Sequence, residues 1–189
     1  MQMQENLIFD VGLHIGQDTE YYLLKGFNVV AIEANPLLVR DAERRFASHI
    51  ASGRLTLLNV GIGAAPGQFP FYVNERLSEW SSFDHKIGTG RGNYSVIEVE
   101  MVTLDSVLAR YGMPYYLKLD IEGNDLAALE TLSAFAIRPK YVSGENGQPE
   151  MLKAMQKLGY NAFKFINQQT VAEIEMPVPA REGQQVQWV

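Results

Sequence analysis

Short apolar runs that stop at an acid or a glycine, each followed by a helix-like stretch, constrain this chain more than any other feature. Leu7-Ile8-Phe9 runs into Asp10-Val11-Gly12, residues 29–32 run into Glu33, and residues 115–119 run into Asp120-Ile121-Glu122-Gly123. Residues 18–25 read as a helix stopped by Gly26. Asn35 offers an N-cap and Pro36 a first helical position ahead of Val39, Ala42, Phe46 and Ile50. Further strands are predicted at 55–60, 69–73, 96–102, 141–143 and 162–166, with helices capped by Asn124 and running over 149–158. Such alternation predicts an α/β fold, a mostly parallel sheet with helices on both faces, doubly wound because crossovers are right-handed. One domain over residues 1–189 is expected, with an irregular, polar segment at about 74–95.

Composition then removes whole classes of function. The 189 residues are 47% hydrophobic and 20% charged, the profile of a globular chain. A net charge of −6 argues against a non-specific nucleic-acid or anionic-membrane binder, which needs a basic face. With no cysteine there is no disulfide, thiolate metal site or cysteine nucleophile. The three histidines, His14, His49 and His85, are scattered, so no zinc site is expected and no metal ligands are assigned, while a carboxylate-bound hard cation stays open. The first residues carry no basic n-region, and polar residues break every apolar stretch before spanning length. A cytoplasmic location and no membrane partner follow as expectations.

In open α/β sheets ligands bind beyond the carboxyl ends of the strands, near the switch in strand order. The segment 10–16 is a glycine turn between strand and helix, and Glu33 closes the next strand 17 residues after Gly16. An acid at that place can accept hydrogen bonds from both hydroxyls of a ribose. The spacing Gly12-x-x-x-Gly16 departs from the dinucleotide pattern, and no phosphate-loop lysine follows. Asp10 before the turn would repel a phosphate but could receive an ammonium. Glu33 for ribose and Asp10 for an amino acid describe S-adenosyl-L-methionine better than NAD.

The residues Phe9–Thr19 (FDVGLHIGQDT), IEANP at 32–36, VTLDSVL at 102–108 and LKLDIEGNDLAALETL at 117–132 together resemble the FkbM-type family of S-adenosylmethionine-dependent methyltransferases. A weaker match is PKYVSGEN at 139–146. Leu13 and His14 stand where that family usually has alanine and asparagine. The resemblance implies a Rossmann-like, seven-stranded sheet. It also implies that Asp10, Gly12 and Gly16 frame the methionine part, with His14 and Thr19 in the same motif. Glu33 and Asn35 would hold the ribose, and the turn of Asn59 and Val60 would border the adenine. Asp120 would face Asp10 across the switch point.

Methyl transfer to a hydroxyl needs alignment and removal of a proton. Asp120, Glu122 and Glu145 are the candidate catalytic residues; His85 and the Ser81-Ser82 pair, within the irregular segment, could face the acceptor or lie on an exposed loop. Glu122 could equally serve as a helix-dipole partner, and Glu145 as a strand-end acid tied to backbone amides. Lys118 reads as a partly buried ion-pair partner. Trp80, Phe83 and Tyr94 could wall a substrate or staple the segment to the core, and Arg40, Arg44 and Arg45 read as the solvated face of a helix.

The expected partner is a small-molecule or sugar acceptor. A non-catalytic nucleoside- or partner-binding domain, which would bind cofactor without turnover, and an NAD-linked oxidoreductase are the alternatives. Glu33→Ala is expected to weaken cofactor binding by about 1–3 kcal/mol with the fold intact.

Overall fold

The computed structural model describes residues 2–90, 92–144 and 149–164. Its centre is a five-stranded, all-parallel sheet. Strand β1 (Met3–Val11) leads through α1 (Gln17–Leu24) to β2 (Asn28–Ile32). Helices α2 (Pro36–Arg45) and α3 (Ala47–Ala51) lead to β3 (Leu55–Leu58). Then come β4 (Gly61–Ile62), β5 (Gly67–Asn74), a 3-10 turn (Ser78–Trp80), α4 (His85–Thr89) and β6 (Tyr94–Val102). Helix α5 (Leu104–Tyr111) precedes β7 (Met113–Leu119), α6 (Asp125–Glu130), a second 3-10 turn (Thr131–Ala134), β8 (Tyr141–Gly144) and α7 (Pro149–Lys157).

The central order is β3-β2-β1-β7-β8, so β1 and β7 adjoin although about a hundred residues separate them. Their register pairs Asp10 with Lys118 and Val11 with Leu119. Alternation along β1 and β2 feeds two cores. Ile8, Val29 and Ala31 pack with Tyr22, Leu23, Ala42 and Phe46 of the α1–α2 side. Phe9, Val11, Val30 and Ile32 pack with Leu104, Leu108, Leu129 and Leu132 of the other side. Successive side chains of a strand point to opposite faces, which is why strands covered on both sides read as continuous apolar runs.

The expected seven-stranded sheet is corrected. Among the described residues five strands form the central sheet, and a separate three-stranded sheet has the order β4-β6-β5. There β5 runs antiparallel to β6, with Phe69 opposite Val99 and Asn74 opposite Tyr94. This pairing lifts the segment 75–93 off the main sheet. The segment is partly ordered: the 3-10 turn, α4 and an antiparallel bridge between Tyr72 and Ser82 lie in or beside it.

Helix α2 starts as its sequence predicts, with the Asn35 side chain accepting from Leu37 N at 3.0 Å and Pro36 following. It breaks at Phe46, which turns inward and closes α2 before α3. Helix α5 is an element the strand–helix reading passed over, although Leu104, Val107 and Leu108 fall at helical spacing on its buried face. Residues 162–164 of the predicted late strand are not strand; its remainder, 165–166, lies outside the described residues. Among the described residues no helix is long and apolar enough to cross a membrane.

Candidate functional site

Two clusters form where the carboxyl ends of β1, β2 and β7 converge. The first is built on the glycine turn. Gly12 N and Leu13 N both donate to Ile32 O at 3.0 Å, which folds the turn over the end of β2. His14 has φ 51, a left-handed conformation uncommon for a non-glycine residue. It aims the His14 N–H at Glu33 Oε2, 2.8 Å away, while Asn35 N donates to Oε1, also at 2.8 Å. Asn59 Nδ2 donates to the carbonyls of Glu33 at 2.9 Å and Ala34 at 3.1 Å. Asn59 thus braces the Glu33 loop from β3, and the half-buried Val60 packs on the core behind it.

Glu33 is only 9% exposed. Burial pushes its carboxyl up from the ordinary value, against the two backbone N–H bonds from Asn35 and His14. A carboxyl raised on folding holds its proton more tightly in the native state. Its share of the stability is therefore full below the ordinary carboxyl pKa and is lost as pH rises through the folded value. We expect the stability difference between the wild type and Glu33→Gln to shrink as pH is raised from about 4 to about 8. Urea unfolding at a series of pH values checks this, and a difference that grows with pH contradicts it.

The second cluster surrounds Lys118. Its ammonium lies 3.2 Å from Asp10 Oδ1, 3.1 Å from Asp18 Oδ2 and 3.5 Å from Asp120 Oδ2, and donates to Gly12 O at 3.2 Å. Asp10 is fully buried, and its other oxygen accepts from Thr19 Oγ1 at 2.7 Å. Burial pushes the Asp10 carboxyl up, opposed by Lys118 and by the Thr19 hydroxyl. Burial alone would lower the Lys118 pKa, but Asp10, Asp120 and Asp18 outweigh it and hold it well above the ordinary value. Lys118 is charged throughout the neutral range.

Asp10 and Thr19 thus brace the turn from within, and the partner of Asp10 here is the lysine rather than an open surface. Gly16, with φ 82, starts α1 without a side-chain cap. Arg45 is more than a solvated face: it donates to Ile15 O at 2.7 Å and pairs with Glu20 at 2.6 Å, fastening α2 to the outside of the turn. Arg44 pairs with Asp41.

Beyond β7 the chain leaves the strand at once. Asp120 N donates to Val11 O at 2.9 Å, and Glu122 takes a left-handed φ of 45. What holds this loop is Asp125, which the sequence reading passed over in favour of Asn124. The Asp125 carboxylate accepts from Ile121 N at 3.1 Å and Gly123 N at 3.4 Å, whereas Asn124 Nδ2 donates to Ile62 O at 3.1 Å. An acid one residue beyond the candidate cap was the missed signal, since carboxylates satisfy helix-start amides as well as amides of the preceding loop. Asp125→Ala is expected to destabilise the protein by about 1–3 kcal/mol, the cost of losing a carboxylate's hydrogen bonds to two loop amides. A denaturant midpoint equal to that of the wild type would refute this role.

The 75–93 segment is tied to both clusters. His14 Nε2 and Ser78 Oγ share a hydrogen bond at 2.8 Å, and Ser82 Oγ donates to Glu122 O at 2.6 Å. Burial lowers the His14 pKa, against the pull of Glu79 and Asp120. Buried Asn74 starts the excursion by accepting from Arg76 N and Leu77 N. Phe83 packs tilted against Phe71 at 4.8 Å and Tyr94 meets Tyr72 at 6.1 Å, so both act as staples. His85 packs edge-on against Tyr72 at 5.0 Å on exposed α4, while Ser82 is buried within the clasp. Glu145 lies outside the described residues. No group of three or more His, Asp or Glu among the described residues is arranged to hold a metal ion.

A parallel sheet with a glycine turn, a buried strand-end acid and charged groups at the switch between β1 and β7 is the architecture of an open α/β fold. The sequence matches the family model described as Methyltransferase FkbM domain over residues 10–162, and the chain belongs to that family. It is also similar to a solved structure, the methyltransferase FkbM from Methylobacillus flagellatus KT, with 20% identity and a TM-score of 0.48. That similarity covers 71% of this chain and 30% of the other. No curated protein matches the chain.

Proposed function

We propose that the protein is an S-adenosyl-L-methionine-dependent methyltransferase acting on a hydroxyl oxygen of a small molecule or sugar. The observation that carries the cofactor reading is Glu33. A buried carboxylate at the end of β2, held bidentately by His14 N and Asn35 N, keeps further lone pairs for two vicinal hydroxyls. The donor set fits the cofactor's chemistry. Carboxylates suit a ribose and an ammonium, and the Asp10 and Asp18 carboxylates beside the glycine turn would repel a pyrophosphate.

When bound, S-adenosylmethionine supplies a methyl group carried on a sulfonium. Glu33 orients the ribose, with Asn35 and Asn59 fixing the loop that carries it. Asp120, beside Lys118, receives the ammonium. Glu122, held by the Ser82 bond to its carbonyl, and Glu145 are the acids proposed to take the acceptor's proton. Of the candidates, Glu122 stands on the loop that Ser82, Asp125 and Asn124 immobilise together, and fixed geometry is what alignment of an acceptor requires. The segment tied to His14 and Glu122 forms the acceptor side of the site in this reading.

Calorimetric titration with S-adenosylhomocysteine, run beside NAD and NADP, tests the proposal. Saturable binding of the first alone is the expected result and leads to an acceptor screen with labelled methyl donor. Binding of NAD instead, or no binding by folded protein, overturns it.

A further inference from the structure

The lysine in the centre of the switch point has a role that an ion pair alone does not require. Register places Lys118 directly opposite Asp10, and two residues further along the chain Asp120 follows on the same face. Asp18 arrives from the first turn of α1. Three carboxylates and the Gly12 carbonyl converge on one ammonium, which has three protons to share among four acceptors. The partners are unequal. Asp10 is wholly inside, whereas the Asp18 and Asp120 side chains are each 36% exposed. The longest contact, at 3.5 Å, is the one to Asp120. The cluster holds two negative charges in excess of its lysine, a field that suits a ligand with a surplus positive charge.

We propose that Lys118 is a positioning residue for the amino-acid end of the cofactor: anchored by Asp10, its ammonium fixes the Asp120 carboxylate beside the glycine turn, where it receives the cofactor's ammonium. Asp18, on the same lysine, limits how far that ammonium can follow Asp120, so the acid keeps an oxygen for the ligand. This inference rests on the cofactor reading above, and its test separates the two.

The probes are S-adenosylhomocysteine, which has the amino-acid end, and 5′-methylthioadenosine, which keeps the nucleoside and thioether but lacks it. Titrated into the full chain, Lys118→Met is expected to weaken the first by about tenfold or more, the scale of one charged hydrogen bond, and to leave the second within about twofold. Asp120→Asn is expected to show the same selective loss. The double variant should bind little worse than the weaker single one, because the lysine acts through the acid.

Removing Lys118 strands a buried carboxylate. Should Lys118→Met fail to fold, Asp10→Asn combined with Lys118→Met removes both charges and carries the same expectation. Equal loss of both probes, or strictly multiplicative losses in the double variant, would overturn the positioning role while leaving the cofactor reading standing. If the wild type binds neither probe, the cofactor reading itself fails.

Discussion

Gly12→Ala is expected to be the most damaging single substitution at the site, lowering the melting temperature by about 10 °C or more. Gly12 has φ 95, and a Cβ built there would lie 1.8 Å from the Asp120 carbonyl oxygen and 2.8 Å from its carbon. Both are backbone atoms, and neither can step aside, because Asp120 N is bonded to Val11 O across the same junction. Left-handed strain costs about 1–3 kcal/mol. Forcing extra volume into a packed junction adds about 1–3 kcal/mol more. Gly53→Ala separates the two terms: Gly53 has φ 72, but a Cβ there meets nothing within 4 Å. The Gly53 variant should therefore pay only the strain. Thermal unfolding of the two variants side by side checks this, and a Gly12 variant no less stable than the Gly53 variant would refute the close approach of β1 and β7.

Glu33→Ala is expected to lose both stability and cofactor affinity. The carboxylate is the acceptor for His14 N and Asn35 N as well as the proposed ribose ligand, so a loss of stability is expected beside the loss of affinity. Alanine takes this acceptor from the buried Asn35 N–H and the part-buried His14 N–H, at about 1–3 kcal/mol for the buried one and less for the other. Glu33→Gln retains an acceptor for one of them and turns an amide N–H₂ toward the other, so it should fall between. Affinity for S-adenosylhomocysteine, measured well below the melting point of each variant, is expected to drop by about tenfold to a hundredfold in Glu33→Ala. Wild-type stability in Glu33→Ala would remove its bracing role, and wild-type affinity would remove the ribose assignment.

The two predictions show where local and distant information divide. Strand ends were legible because the runs 7–9, 29–32 and 115–119 are largely apolar and give way to acids and glycines. The start of α2 was legible because Asn35-Pro36 is a local cap. The family itself was legible in the blocks around Gly12 and Asp120, and the match over residues 10–162 supports it. Helix α5 was legible as well and was passed over, since Leu104, Val107 and Leu108 fall at helical spacing on its buried face. The separate sheet was not legible, because nothing local tells whether residues 96–102 join the central sheet or pair with 67–74.

By itself, then, the sequence determined the alternation of elements, the acids and glycines that end the strands, and the family to which those blocks belong. Each of these depends on neighbours within a few positions, through turn geometry, capping and side-chain period. Only the tertiary structure decided which of those residues meet. Lys118 and Asp10 are 108 positions apart, His14 and Ser78 are 64 apart, and Ser82 and Glu122 are 40 apart. Their contacts follow from sheet register and from where the 75–93 segment lands, which are set by packing summed over the whole core. Asp10 became a buried anchor, and Asp120 the more exposed acid, for that reason: burial is a property of the assembled sheet and not of a residue's place in the chain.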